Sequence, residues 1–171
     1  MKNYEIEIVI KDDFEDIQKL SSILNRKSEF GQASSIEKID EWEKNNKIHI
    51  PSMYKSWLLL TSYARIMEGY FELYFPEIED EYSDNVFLGS IIGDGETLYF
   101  SKSTGKIYSI YESEKKEFQD FDDFLSYIHI KLEEAAEEEY GDTWLEIYNQ
   151  EFSDNWCVTV KFIFIKFKIL D

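Results

Sequence analysis

Residues 86–100 read Val86-Phe87-Leu88-Gly89-Ser90-Ile91-Ile92-Gly93-Asp94-Gly95-Glu96-Thr97-Leu98-Tyr99-Phe100. Two strand-like runs, Val86 to Ile92 and Glu96 to Phe100, flank Gly93-Asp94-Gly95. Glycine supplies the positive φ angles that a tight hairpin turn requires, so the stretch predicts a β-hairpin. Gly69 to Phe75 precedes it, and Lys106 to Tyr111 follows Ser103-Thr104-Gly105, a second turn of the same chemistry. Four such runs in succession predict an antiparallel meander.

Helical spacing frames the meander on both sides. Ile36, Ile39 and Trp42 lie on one helix face, with Ser34 or Ser35 as cap, and that helix runs out at Asn45-Asn46. Pro51 suits the first turn of a second helix, where its missing N–H would be unpaired anyway. Tyr54, Trp57, Leu58, Leu60, Tyr63 and Ala64 give that helix its apolar face. Beyond the meander, Phe121, Phe124, Leu125, Ile128 and Leu132 predict a helix capped by Asp120 or Asp122. It continues through Glu133 to Glu139, and Trp144, Ile147 and Tyr148 add another turn or two.

The two ends read differently. Ile6, Ile8 and Ile10 alternate with Glu5, Glu7 and Val9, which predicts a strand over Tyr4 to Ile10. A helix through Phe14, Ile17, Leu20 and Leu24 competes for part of that stretch, and Ser28 to Ser35 reads as a polar connection. Trp156 to Ile169 alternates again through Val158, Val160, Phe162 and Phe164. It predicts a long strand that pairs with Tyr4 to Ile10 or leaves an edge open to a second copy. No internal repeat or linker divides residues 1–171, so the fold class expected is one α+β domain: an antiparallel meander flanked by helices.

Composition narrows the function. The chain has 171 residues, 43% hydrophobic and 17% aromatic, enough to bury a core. Its formal net charge is −18, from 36 acidic and 18 basic side chains. Such a field repels phosphate backbones and anionic membrane surfaces, so direct nucleic-acid or membrane binding is not expected. It suits a basic protein partner, and it also serves solubility alone. Residues 151–171 balance Glu151, Asp154 and Asp171 against Lys161, Lys166 and Lys168, so the acidity lies in the first 150 residues. Cys157 is the only cysteine, Met1 to Glu7 is charged where a signal peptide is apolar, and lysines interrupt Trp156 to Leu170. A cytoplasmic protein fits all three.

Catalytic and metal motifs are absent: no phosphate loop ending in Lys-Ser or Lys-Thr, no His-Glu-x-x-His, no Gly-x-Ser-x-Gly. His49 stands just before Pro51 and His129 between Ile128 and Ile130; both read as structural or surface histidines. Cys157 lies in an apolar run, where a thiol is usually inert. Glu77 to Glu81 lacks the alternating Asp spacing that wraps oxygens around Ca²⁺. No catalytic residue, metal or cofactor is expected. Glu133 to Glu139 reads as a solvated helix face. The segment between Pro76 and Asn85, with Glu77, Glu79, Asp80, Glu81 and Asp84, is the candidate surface for a basic partner. Asp94 and Glu96 on the hairpin turn join it as a second acidic group, although a turn with polar residues is the simpler account of them.

The order of these elements resembles a family. Ile36-Glu37-Lys38-Ile39-Asp40-Glu41-Trp42-Glu43 followed by Ile48-His49-Ile50-Pro51-Ser52-Met53-Tyr54-Lys55-Ser56-Trp57-Leu58 is similar to the opening of SMI1/KNR4 (SUKH) domains. Leu88 to Phe100 resembles that family's hairpin with its Gly-Asp-Gly turn, Thr104 to Tyr108 its next turn and strand, and Phe118 to Leu125 its closing segment. The likeness spans roughly Ile36 to Leu132, leaving extensions at both ends. Thr61-Ser62-Tyr63-Ala64-Arg65 departs from it, since family members often carry Asn-Gly after the Tyr-Lys helix. The resemblance implies an α+β fold and a non-catalytic immunity protein that binds and occludes a cognate bacterial toxin, often a nuclease. The alternative it implies is a regulatory scaffold of the fungal cell-wall type.

Overall fold

The computed structural model describes residues 3–91 and 95–152. Its seven strands form one sheet in the order of the chain, each antiparallel to the next. They are β1 (Glu29–Phe30), β2 (Ala64–Ile66), β3 (Phe71–Glu77), β4 (Asn85–Ile91), β5 (Glu96–Ser101), β6 (Ile107–Tyr111) and β7 (Glu114–Glu117). The α-helices among the described residues are α1 (Asn3–Ser22), α2 (Ile36–Asn46), α3 (Ser52–Leu58), α4 (Phe121–Tyr140) and α5 (Trp144–Glu151). The α+β class, with an antiparallel meander flanked by helices, is what the structure shows.

Caps form where the sequence provides them. Ser35 accepts from the Lys38 N–H at the start of α2, and Asp120 accepts from the Asp123 N–H at the start of α4, each satisfying a first-turn donor. Helix α1 packs against α3 and α4, and this layer covers one face of the sheet. Trp57 of α3 meets Phe14 of α1 edge-on, while Tyr54 and Trp57 both meet Phe121 of α4. From the sheet, Phe71 meets Phe124 and Tyr127. Val86, Leu88, Leu98, Phe100 and Ile107 fill the same core, all at most 1% exposed.

The sheet bends at β4. Its register against β5 shifts between Phe87 and Gly89, as an inserted bulge residue does. A Cβ on Gly89 would lie 1.8 Å from the Glu72 carbonyl oxygen, so only glycine lets β3 and β4 approach this closely.

Several expectations are overturned. Tyr4 to Ile10 is not a strand but lies in α1. Ile10, the end of the alternation, is also four residues ahead of Phe14 and seven ahead of Ile17, so a helical stripe claims it, and it is fully buried. Its proposed strand partner, Trp156 to Ile169, lies outside the described residues. The helix after Pro51 stops at Leu58, short of Tyr63 and Ala64. Thr61 turns the chain there by donating to the Gly31 and Tyr63 carbonyls, and Ala64 already belongs to β2. The apolar run hides this boundary because helix and strand bury into one core. Pro51 precedes the first helical residue as its cap. The connection Ser28 to Ser35 contains the two-residue β1. Strand β7, Glu-Lys-Lys-Glu, is exposed throughout and shows no apolar alternation. Its hairpin turns on Glu112 and Ser113, both at positive φ without a glycine to announce them. Among the described residues, no helix is long and apolar enough to cross a membrane.

Candidate binding face

The acidic segment between β3 and β4 is held by the neighbouring β5–β6 turn. The Asp84 carboxylate accepts from Ser101 Oγ at 2.6 Å, from the Ser103 N–H at 2.9 Å and from Ser103 Oγ at 3.1 Å. These bonds, Ser101's first, hold its carboxyl below the usual carboxylate range. Lys102 reaches into the loop, and its ammonium donates to the carbonyls of Asp80 (3.0 Å), Glu81 (3.3 Å) and Ser83. Asp80 Oδ1 accepts from the Tyr82 N–H at 2.9 Å, a local turn that aspartate favours. The loop is therefore built from both sides and presents its side chains from a fixed backbone.

What it presents is acidic and aromatic. Glu77, Glu79, Asp80 and Glu81 are exposed, and Tyr82 between them is 98% exposed. Asp84 is spent on the turn and serves as the loop's anchor. Of the other predicted residues, Glu96 begins β5 at the opposite end of the hairpin, six residues or about 20 Å away. The structure does not bring it to the loop. Asp94 lies outside the described residues. Sequence reasoning missed Tyr82 and Lys102. A lone ring inside five carboxylates was the available signal for the first; nothing local marks the second.

The sheet face opposite the helices carries a row of rings. Tyr63 and Tyr74 stand 5.6 Å apart between centroids, Tyr74 and Phe87 5.9 Å, Phe87 and Tyr99 6.0 Å, and Tyr99 and Tyr108 6.1 Å. The row crosses the strands, since Phe87, Tyr99 and Tyr108 are register partners on β4, β5 and β6. Four of the five rings remain partly exposed, and Tyr108 lies beneath the Lys115 ammonium, 3.8 Å from its centroid. Carboxylates take the phenols: Tyr74 donates to Glu72 at 2.6 Å and Tyr99 to Glu79 at 3.4 Å. Burial and then that Glu72 bond push the Tyr74 phenol up to about 12. Glu79 therefore belongs to both the loop and the ring row.

Elsewhere, His49 is almost wholly exposed, 3.9 Å from Glu43. His129 is partly buried on α4, 3.7 Å from Glu133, and that desolvation pushes its pKa down to about 4, so it is neutral at pH 7. Asp13 of α1 faces Asp122 of α4; burial, then the hydrogen bond and charge of Asp122, raise the Asp13 carboxyl to about 8. Its Oδ2 has no hydrogen-bond donor beside it, so the pair is bonded only when it shares a proton. The depression lined by Asp40, Glu43, Lys44, Lys47 and His49 is open to solvent and contains neither Asp13 nor Asp122. Among the described residues, no cluster of three or more His, Cys, Asp or Glu is arranged to hold a metal ion. A scan against models of protein families and a search of curated proteins each gave no match for this chain.

Proposed function

We propose that this chain is a non-catalytic immunity protein of the SMI1/KNR4 kind, which neutralises a basic protein toxin, nuclease in type, by binding and occluding it. One observation carries the reading: a pinned acidic loop displays a fully exposed tyrosine. A fixed backbone spares the ordering entropy of binding. Tyrosine is enriched at the centres of interfaces, and the surrounding carboxylates steer a basic partner toward it. A nuclease presents a cationic substrate groove, and an acidic protrusion fits one. The same reading sets its action in the cytoplasm, in keeping with a sequence that has one cysteine and thus no internal disulfide.

The deciding experiment is calorimetric titration against the product of the gene directly upstream. Tight one-to-one binding that silences that product's toxicity is the expected result. Absence of binding removes the immunity reading and favours a regulatory scaffold with several weaker partners. Given binding, Glu79→Lys with Glu81→Lys is expected to slow association about tenfold or more at low salt and change dissociation little. Stopped-flow rates that the double substitution leaves unchanged would show that the loop is not the contact.

A further inference from the structure

The ring row on the sheet face opposite the helices has a geometry of its own. Its rungs recur every 5.6 to 6.1 Å. Alternate side chains of an extended chain recur every ~6.6 Å. An extended segment lying across the strands thus keeps alternate side chains near two or three adjacent rings before the spacings drift apart. The rings are also electron-rich. A phenol that donates to a carboxylate shifts charge into its ring, and Tyr74 and Tyr99 both do so. Cations prefer such faces, guanidinium above all because it stacks as a plane. The protein already contains one instance, Lys115 over Tyr108 at the end of the row. Glu72, Glu77 and Glu79 add negative charge beside the row, although Arg65 partly balances Glu72 at 3.2 Å.

We propose that Tyr63, Tyr74, Phe87 and Tyr99 form a docking surface for an extended, arginine-bearing segment of a basic protein partner, laid across the strands with alternate side chains on successive rings. This rests on the binding-protein reading above and gives it a second contact surface, joined to the loop through Glu79. The loop supplies long-range attraction and one anchor; the row supplies register.

The test uses the full chain and labelled eight-residue peptides alternating Arg with Thr, Lys with Thr, and citrulline with Thr, the last being neutral but the same shape as the first. Fluorescence anisotropy gives affinity and amide shifts give the footprint. The arginine peptide is expected to bind with shifts along β3 to β6, and citrulline to lose about tenfold or more. Phe87→pentafluorophenylalanine keeps shape but removes the negative ring face, and Tyr99→Leu removes a rung; each is expected to weaken binding about three- to tenfold. Four results overturn the proposal: no arginine-peptide binding, a footprint confined to residues 78–84 or to the Glu133–Glu139 face, indifference to the fluorinated ring, or a self-association that Tyr99→Leu abolishes. A fifth does the same: if replacing Lys161, Lys166 and Lys168 by Gln shifts the row's resonances without peptide, the chain's own lysines hold the face. If the ring variants still bind the upstream product at full affinity, the row falls and the immunity reading stands. If that product never binds, the immunity reading falls while the peptides still decide the row.

Discussion

Asp13 sits in a field made only of carboxylates, with Asp122 across the α1–α4 contact and Asp16 and Asp12 on its own helix. Its folded pKa, about 8 against an ordinary 3.8, means the native state holds a proton that the unfolded chain releases. Stability from this group is therefore fully present below pH 3.8 and lost as pH rises toward 8. Asp13→Asn keeps the shape, carries no charge and donates to Asp122. It is expected to raise stability at pH 7.5 by about 1–2 kcal/mol in urea denaturation and by little at pH 4. The opposite sign is expected at Gly89. A methyl group 1.8 Å from the Glu72 oxygen forces the two strands apart, so Gly89→Ala is expected to cost at least about 2–3 kcal/mol. A neutral Gly89→Ala would show that β3 yields there.

At the scale of elements, the acidic loop is only as ordered as Lys102 makes it. Lys102→Met removes three bonds to backbone carbonyls; the expected result is faster amide exchange from Asp80 to Asn85, with a global loss of about 1 kcal/mol or less. Protection left intact there would assign the ordering to Asp84 alone. The same scale shows what the sequence made legible. The meander was readable because glycines mark its turns and alternate residues bury, as with Val86, Leu88, Leu98 and Phe100. Helices α2 and α4 were readable because Ser35 and Asp120 announce them. Strand β7 was not, since all its residues are exposed and only pairing to β6 makes it a strand. At Tyr4 to Ile10 two periodicities overlapped, and packing against α3 and α4 chose the helical one. The loop was visible as charge. Its anchoring by Lys102, about twenty residues on, and the ring row built from five separate segments are tertiary facts with no local signature.

Across the whole molecule, two partly buried groups act against each other with pH. His129 has its pKa lowered from 6.5 to about 4, so its stability is present above pH 6.5 and lost as pH falls toward 4. Asp13 weakens the fold as pH rises through that window and beyond, and burial shifts Asp16 in the same direction. Above pH 6.5 Asp13 is still losing its proton. The thermal midpoint is therefore expected to drop between pH 6.5 and 8, and Asp13→Asn to flatten that drop. A midpoint that climbs over this range in the unaltered protein would contradict the buried carboxyl pair.

The clasp between the ends of α1 and α4 bears on how the molecule comes into being. Tyr140 donates to the Ile23 carbonyl, Glu139 accepts from the Asn25 N–H 114 positions earlier, and Arg26 pairs with Glu138. A ribosome adding 5–20 residues each second separates these partners by roughly 6 to 20 seconds. The sheet can zip hairpin by hairpin as it emerges, each strand finding the one just made. Helix α1 meets α3 early, Phe14 against Trp57, but its other packing partner, α4, is made only after the whole sheet. In the newborn chain, α1 thus docks on one side long before the clasp with α4 closes on the other.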